Sequence, residues 1–100
     1  MTCEVLDRGN GRILLRGQFD EATVGEAMLA GEELFSKYRE ICVDLAEVSC
    51  ANTASLAMLV EWSMWAGTHD RTIVYKNAPA GLVAIAKVNF VDQILQIDAG

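Results

Sequence analysis

Hydrophobic positions along this chain recur with two periods, roughly 2 and roughly 3.6 residues, and the changes of period divide it into elements. Thr2 to Leu6 and Arg12 to Phe19 read as two strands. The polar run Asp7-Arg8-Gly9-Asn10-Gly11 between them supplies the tight turn of a hairpin. After Gln18-Phe19-Asp20-Glu21 the period lengthens. Val24, Ala27, Met28, Gly31, Leu34, Phe35 and Tyr38 form one buried helical face, with Glu32, Glu33, Lys37 and Arg39 off that stripe. Thr23 followed by Glu26 matches the capping box that opens a helix. Ile41 to Leu45 is an apolar run interrupted by Asp44, the pattern of a central strand.

A second helix is predicted from about Thr53 to Ala66, and Thr68-His69-Asp70-Arg71 is a polar turn. Thr72 to Tyr75 reads as another strand. Asn77-Ala78-Pro79 opens a third helix, with Asn77 as cap and Pro79 in the first turn, and Leu82, Ile85 and Ala86 facing inward. Val91, Ile94 and Leu95 predict a short final element, with a helix favoured over a strand. Strands alternating with helices after an opening hairpin imply one α/β domain, whose mixed sheet has right-handed crossovers.

The middle helix carries the candidate chemistry. At 100° per residue, Leu56, Leu59, Val60, Ser63 and Gly67 define the expected core face, with Gly67 ending the helix or letting it pack closely. Met58, Trp62 and Trp65 are assigned to the opposite side, with the helix's one charged residue, Glu61, among them. Either neighbouring helices cover this stripe or it is an exposed anchor for a protein partner, since tryptophan is enriched at binding hot spots and methionine adapts to what it meets. In the anchor reading, Trp62→Ala leaves the fold intact and abolishes binding. Asn52 is placed to cap this helix, and Thr53 and Ser55 put hydroxyls at its N-terminus, where free amides favour an anion such as a phosphate.

Composition narrows the function. The chain has 100 residues, 52% hydrophobic, enough for one folded domain with a real core. Its net charge of −6 opposes nucleic-acid binding. The longest apolar runs are too short to span a membrane, and the MTCEVLDRGNG start lacks the basic and apolar regions of a secretory signal. Cys3, Cys42 and Cys50 form no CxxC pair, which suits reduced thiols in a cytosolic protein.

Several segments in order resemble the STAS domain, the fold of anti-sigma-factor antagonists and of sulfate-transporter cytoplasmic tails. They are LRGQFDEATV at Leu15 to Val24, the strand ending Asp44-Leu45, ANTASLAMLVEW, and KNAPAGLVAIAKVNFVDQIL. Asn52-Thr53-Ala54-Ser55-Leu56, Glu61-Trp62 and Asn77-Ala78-Pro79 are most like its MlaB-like branch, the small cytoplasmic subunit of the Mla phospholipid-transport ABC complex. The resemblance implies a STAS-like mixed sheet with an N-terminal hairpin and crossover helices packed mainly on one face. It places Thr53 at the phosphorylatable Ser/Thr of the regulatory members. Asn52 stands where those members have Asp, and Ser55 where they have Gly, so Thr53 is expected to be a contact residue first and a phosphosite second.

Catalysis finds little support. His69 is the sole histidine, in a turn, with no Ser–His–Asp or Cys–His set around it. No Gly-rich phosphate loop or metal-ligand cluster is apparent, and Asp7, Asp20, Asp44 and Asp92 fall at element ends, where turns and caps use them. The expectation is a non-enzymatic, cofactor-free interaction domain. By resemblance it binds the ATPase subunit of an Mla-type transporter, in the cytoplasm and peripheral to the inner membrane, through Asn52, Thr53, Ser55, Met58, Glu61, Trp62 and Trp65. The rival expectation is an anti-sigma-factor antagonist, paired with an anti-sigma factor or serine kinase and switched at Thr53. A third is a small-ligand or nucleotide binder that uses the helix N-terminus.

Overall fold

The computed structural model describes residues 3–49, 52–89 and 91–98. The hairpin is formed by β1 (Cys3–Asp7) and β2 (Arg12–Gly17), antiparallel with Val5 opposite Leu15. Its turn needs left-handed backbone at three successive residues, Gly9, Asn10 and Gly11 (φ 87°, 56° and 79°), which the Gly-Asn-Gly sequence supplies. Gly11 is also required by space, because a β-carbon there would overlap the Glu40 carbonyl oxygen.

The next elements are α1 (Val24–Phe35), β3 (Glu40–Val48), α2 (Thr53–Thr68), β4 (Thr72–Lys76), α3 (Ala80–Val88) and β5 (Ile97–Asp98). The strand order in the sheet is the chain order, with β2 to β5 all parallel. In a right-handed crossover the direction of movement across the sheet sets the face on which the helix lies, so three crossovers in one direction lay all three helices on one face. The core lies between that face and the helices. It holds Ile13 and Leu15 of β2, Ile41, Val43 and Leu45 of β3, and Ile73 and Tyr75 of β4, closed by Phe19, Phe35, Leu59, Trp62 and Leu82.

Four local expectations are corrected. Thr23 precedes α1 but makes no side-chain cap to it. Its Oγ1 instead accepts from Asp20 N (3.0 Å), so the Thr23–Glu26 capping box does not form and the side chain closes the preceding turn. Asn77 does not cap α3, whose boundary residue is Pro79. Asn77 is left-handed (φ 59°), and its Nδ2 donates to Asp44 Oδ1 (3.0 Å), tying the end of β4 to β3. The final element is the two-residue strand β5, because Val91 to Leu95 make only a turn before Ile97 pairs with Tyr75. Gly67 neither stops α2 nor packs closely: the helix continues to Thr68, and a β-carbon at 67 would meet open space.

β3 also runs past Leu45 to Val48. The pairing steps from Leu14↔Asp44 to Arg16↔Glu47, one extra residue in β3, a bulge that breaks the alternation at Ala46 and Glu47. The Ala46 N–H is taken up by Asp44 Oδ1 at 2.9 Å. Thr2 and Cys50, given a strand and a thiol role by the sequence, lie outside the described residues.

Candidate functional site

α2 begins on a closed capping box. Asn52 Oδ1 accepts from Ser55 N (2.8 Å), and Ser55 Oγ accepts from Asn52 N (3.2 Å). Asn52 Nδ2 also donates to Phe19 O (2.9 Å), pinning the helix start to the chain leaving β2. Ser55 is 2% exposed, and its hydroxyl is spent within the cap, donating to Asn52 O at 2.9 Å. Two of the proposed contact residues, Asn52 and Ser55, therefore build the helix start; Ser55 is buried there, and Asn52 is half-buried.

Thr53 follows the cap and is exposed. Its side chain has no hydrogen-bond partner among the described residues. It lines a shallow cleft of about 450 Å³ with Asp20, Glu21, Ala22, Asn52 and Ala54. The first turn of α2 carries no acidic residue, so acidity at this end comes from the loop before α1.

The Met/Trp anchor is corrected. Met58 is 1% exposed and Trp62 is fully buried. Trp62 meets Phe35 edge-on, with centroids 5.0 Å apart, and its Nε1 donates to Met28 O at 3.2 Å. The physical reason lies in the helical wheel: Leu59 and Trp62 are only about 60° apart at 100° per residue. The two stripes merge into one buried arc, Ser55, Leu56, Met58, Leu59, Trp62 and Ala66, because α2 is the middle helix and packs against the sheet, α1 and α3. Trp65 is half-buried and engaged internally, stacked on His69 (4.4 Å, 20°), tilted against Phe35 (6.1 Å), with the Arg71 guanidinium 5.5 Å from its ring.

The exposed face of α2 is a different row, Thr53, Ala57, Glu61, Met64 and Thr68, spaced four, four, three and four residues apart. Of the seven proposed contact residues, Thr53 and Glu61 lie on it. Ala57 and Met64 were missed, although Met64 is 57% exposed. The spacing of Glu61 from Ala57 and Met64 could have revealed them, since a charge marks the solvent side of an amphipathic helix.

Arg71 is another residue that patterning along the chain offers no reason to choose. Its Nε donates to Phe35 O (3.2 Å) and Tyr38 O (2.9 Å), Nη2 to Ser36 O (2.8 Å) and Nη1 to His69 O (2.9 Å). One guanidinium thus satisfies carbonyls at the C-terminal ends of two helices. His69 sits at the C-terminal boundary of α2.

Among the described residues, no group of His, Cys, Asp or Glu is arranged to hold a metal ion, and no helix is long and apolar enough to cross a membrane. A protein-family model described as "Mlab, STAS domain" matches residues 4–96. The chain belongs to the STAS domain family.

Solved structures share this fold at low identity. The STAS domain aligns with the unphosphorylated anti-sigma factor antagonist SpoIIAA at 7% identity and a TM-score of 0.73, covering 98% of this chain and 89% of that one. The Bacillus cell fate determinant SpoIIAA in its phosphorylated form gives 7% identity and 0.70, covering 98% and 92%. A putative anti-sigma factor antagonist from Thermotoga maritima gives 12% and 0.75, covering 96% and 83%. No curated protein matches the chain. The helix that carries Thr53 is the middle one of the three, packed against α1, α3 and β4.

Proposed function

We propose that this STAS domain is a non-enzymatic, cytoplasmic subunit that binds and stabilises or regulates the ATPase of an Mla-type lipid transporter, and is itself peripheral to the inner membrane through that complex. The observation that carries the reading is the outward row Thr53, Ala57, Glu61 and Met64 on a helix whose start is locked by Asn52 and Ser55. Small side chains at 53 and 57 allow close approach, Met64 supplies adaptable apolar contact, and Glu61 selects a basic counterpart. The name of the matching family, Mlab, agrees with this partner. A subunit that binds one conformation of an ATPase better than another shifts its population by that difference in affinity, without chemistry of its own.

Titration calorimetry with the purified ATPase tests this. Saturable binding is expected, weakened at least about tenfold by Glu61→Arg or Ala57→Glu, with the fold unchanged. No binding by the unaltered chain overturns the proposal.

A second reading is favoured by one observation: the Thr53 hydroxyl is exposed and without a partner among the described residues, at a helix N-terminus. There a phosphate would meet the positive end of α2, as an anti-sigma-factor antagonist switched at Thr53 requires. Asp20 and Glu21 across the cleft work against it. Incubation with the cognate serine kinase and ATP, followed by intact mass, decides: a stoichiometric phosphate on Thr53 supports the switch, and an unmodified chain excludes it.

A further inference from the structure

The face of the sheet that carries no helix holds a charged cleft. The pairing register places Leu6 opposite Leu14, and Leu14 level with Asp44 and Lys76. One pleat away, Arg12 is level with Cys42 and Val74. These side chains share one face, since residues two apart in a strand do. Arg8 joins them from the hairpin turn, where its N–H donates to Arg12 O at 2.8 Å. Arg8, Arg12, Leu14, Cys42, Asp44, Glu47 and Lys76, with Ile13, line a cleft of about 430 Å³.

Half of the chain's 8 lysines and arginines, Arg8, Arg12, Arg16 and Lys76, are on this face of a protein whose net charge is −6. Arg16 is already bound by Glu47 (3.0 Å) and Glu4 (3.7 Å). Arg8, Arg12 and Lys76 make no side-chain hydrogen bond or ion pair among the described residues. Arg8 and Arg12 flank the hairpin turn and are joined by the Arg8 N–H to Arg12 O bond, so two like charges are held close together there, an arrangement that an anion would relieve. Neither Asp44 nor Glu47 pairs with them: Asp44 uses Oδ1 for Ala46 N and Asn77 Nδ2, and Glu47 uses Oε1 for Arg16, leaving one oxygen of each carboxylate over. The floor is apolar, with Leu14 only 5% exposed although no helix covers it.

We propose that this cleft is a binding site for a small phosphate monoester with a hydroxyl-rich body, such as a sugar phosphate, with Arg8, Arg12 and Lys76 holding the phosphate. Two guanidiniums and an ammonium match a dianion better than a single carboxylate. Asp44 and Glu47, with acceptor capacity to spare, take the hydroxyls of the ligand body. A volume of about 430 Å³ is within the range of small-molecule sites. The site is on the opposite side of the sheet from α2 and is independent of the partner proposed for that helix.

The test is an amide NMR titration of the full chain with glucose 6-phosphate, and with inorganic phosphate and glucose as separate arms. Saturable shifts are expected at Arg8, Arg12, Leu14, Cys42 and Lys76 with glucose 6-phosphate. They are expected to be weakened at least about tenfold in Arg12→Gln, whose exposed side chain leaves the fold intact by thermal unfolding, and by inorganic phosphate in place of the sugar phosphate. No saturable shift, saturable shifts centred on Thr53, affinity unaffected by Arg12→Gln, or equal affinity for inorganic phosphate would overturn the proposal.

Discussion

The indole of Trp62 occupies the space that a β-carbon on Gly31 would need: Cζ2 lies 2.5 Å and Cε2 2.7 Å from that position. This contact joins α1 to α2, and it explains why a glycine sits inside a helix, where it otherwise costs about 1 kcal/mol. Gly31→Ala is expected to destabilise the domain by about 1–2 kcal/mol, the overpacking outweighing the gain in helix propensity. Trp62→Ala is expected to cost about 3–5 kcal/mol, a large part of the stability of a domain this size. Thermal unfolding measures both. A Trp62→Ala variant with unaltered stability would restore the exposed-anchor reading.

Asn52 and Thr53 are adjacent yet do different work. Asn52→Ala removes the acceptor for Ser55 N and the donor to Phe19 O, and is expected to cost about 1–2 kcal/mol. Thr53→Ala changes an exposed side chain and is expected to stay within about 0.5 kcal/mol while altering any partner affinity. Urea titration of the two variants measures the contrast.

Arg71→Ala leaves the carbonyls of Phe35, Ser36, Tyr38 and His69 without their shared donor. The expected loss is about 2–3 kcal/mol, with faster amide hydrogen exchange at the C-terminal turn of α1 and no change at the α2 start. Arg71→Lys recovers only part, since an ammonium cannot span the same fork of acceptors.

Burial pushes the Tyr75 phenol well above the ordinary tyrosine range, partly offset by its hydrogen bond with Ser63. The folded state therefore keeps the proton to a higher pH than the unfolded chain. The associated stability is fully present below the unfolded value of about 10 and is lost as pH rises above it. Alkaline unfolding followed at the tyrosinate absorbance is expected to show Tyr75 ionising together with loss of the fold. Tyr75→Phe lacks this titration and is expected to flatten the alkaline decline. It also lowers stability at neutral pH by about 1 kcal/mol, because the 2.8 Å bond to Leu59 O is lost.

At the other end of the scale, Asp7 is held below the usual carboxylate range by the Gly9 amide and by the Tyr38 hydroxyl, at 2.9 Å from each to Oδ1. A depressed folded value means that its contribution is present above about pH 4 and is lost as pH falls through the folded pKa. Tyr38→Phe is expected to raise the Asp7 pKa, measured by carboxyl NMR titration. An unshifted Asp7 in that variant would show that the turn amide alone sets it.

The order of elements, the hairpin and the cap at Asn52 were legible in the chain because each is local. Strand and helix periods, Gly-Asn-Gly at a turn and Asn before an apolar helix act over a few residues, although a tertiary partner can override them, as when Asn77 bonds Asp44 and leaves α3 uncapped. Which way α2 faces was not local. Met58, Trp62 and Trp65 look like an exposed stripe only if one neighbour is assumed, and the middle position of α2, with α1 carrying Gly31 beside it, turns that stripe inward. The Arg71 contacts with two helix ends and the meeting of Arg8, Arg12 and Lys76 on the bare sheet face likewise join residues far apart in sequence. Sequence patterning determined what each segment becomes. Only the packing of segments decided which surfaces remain for a partner, because a side chain is exposed or buried according to what lies against it and not according to its own chemistry.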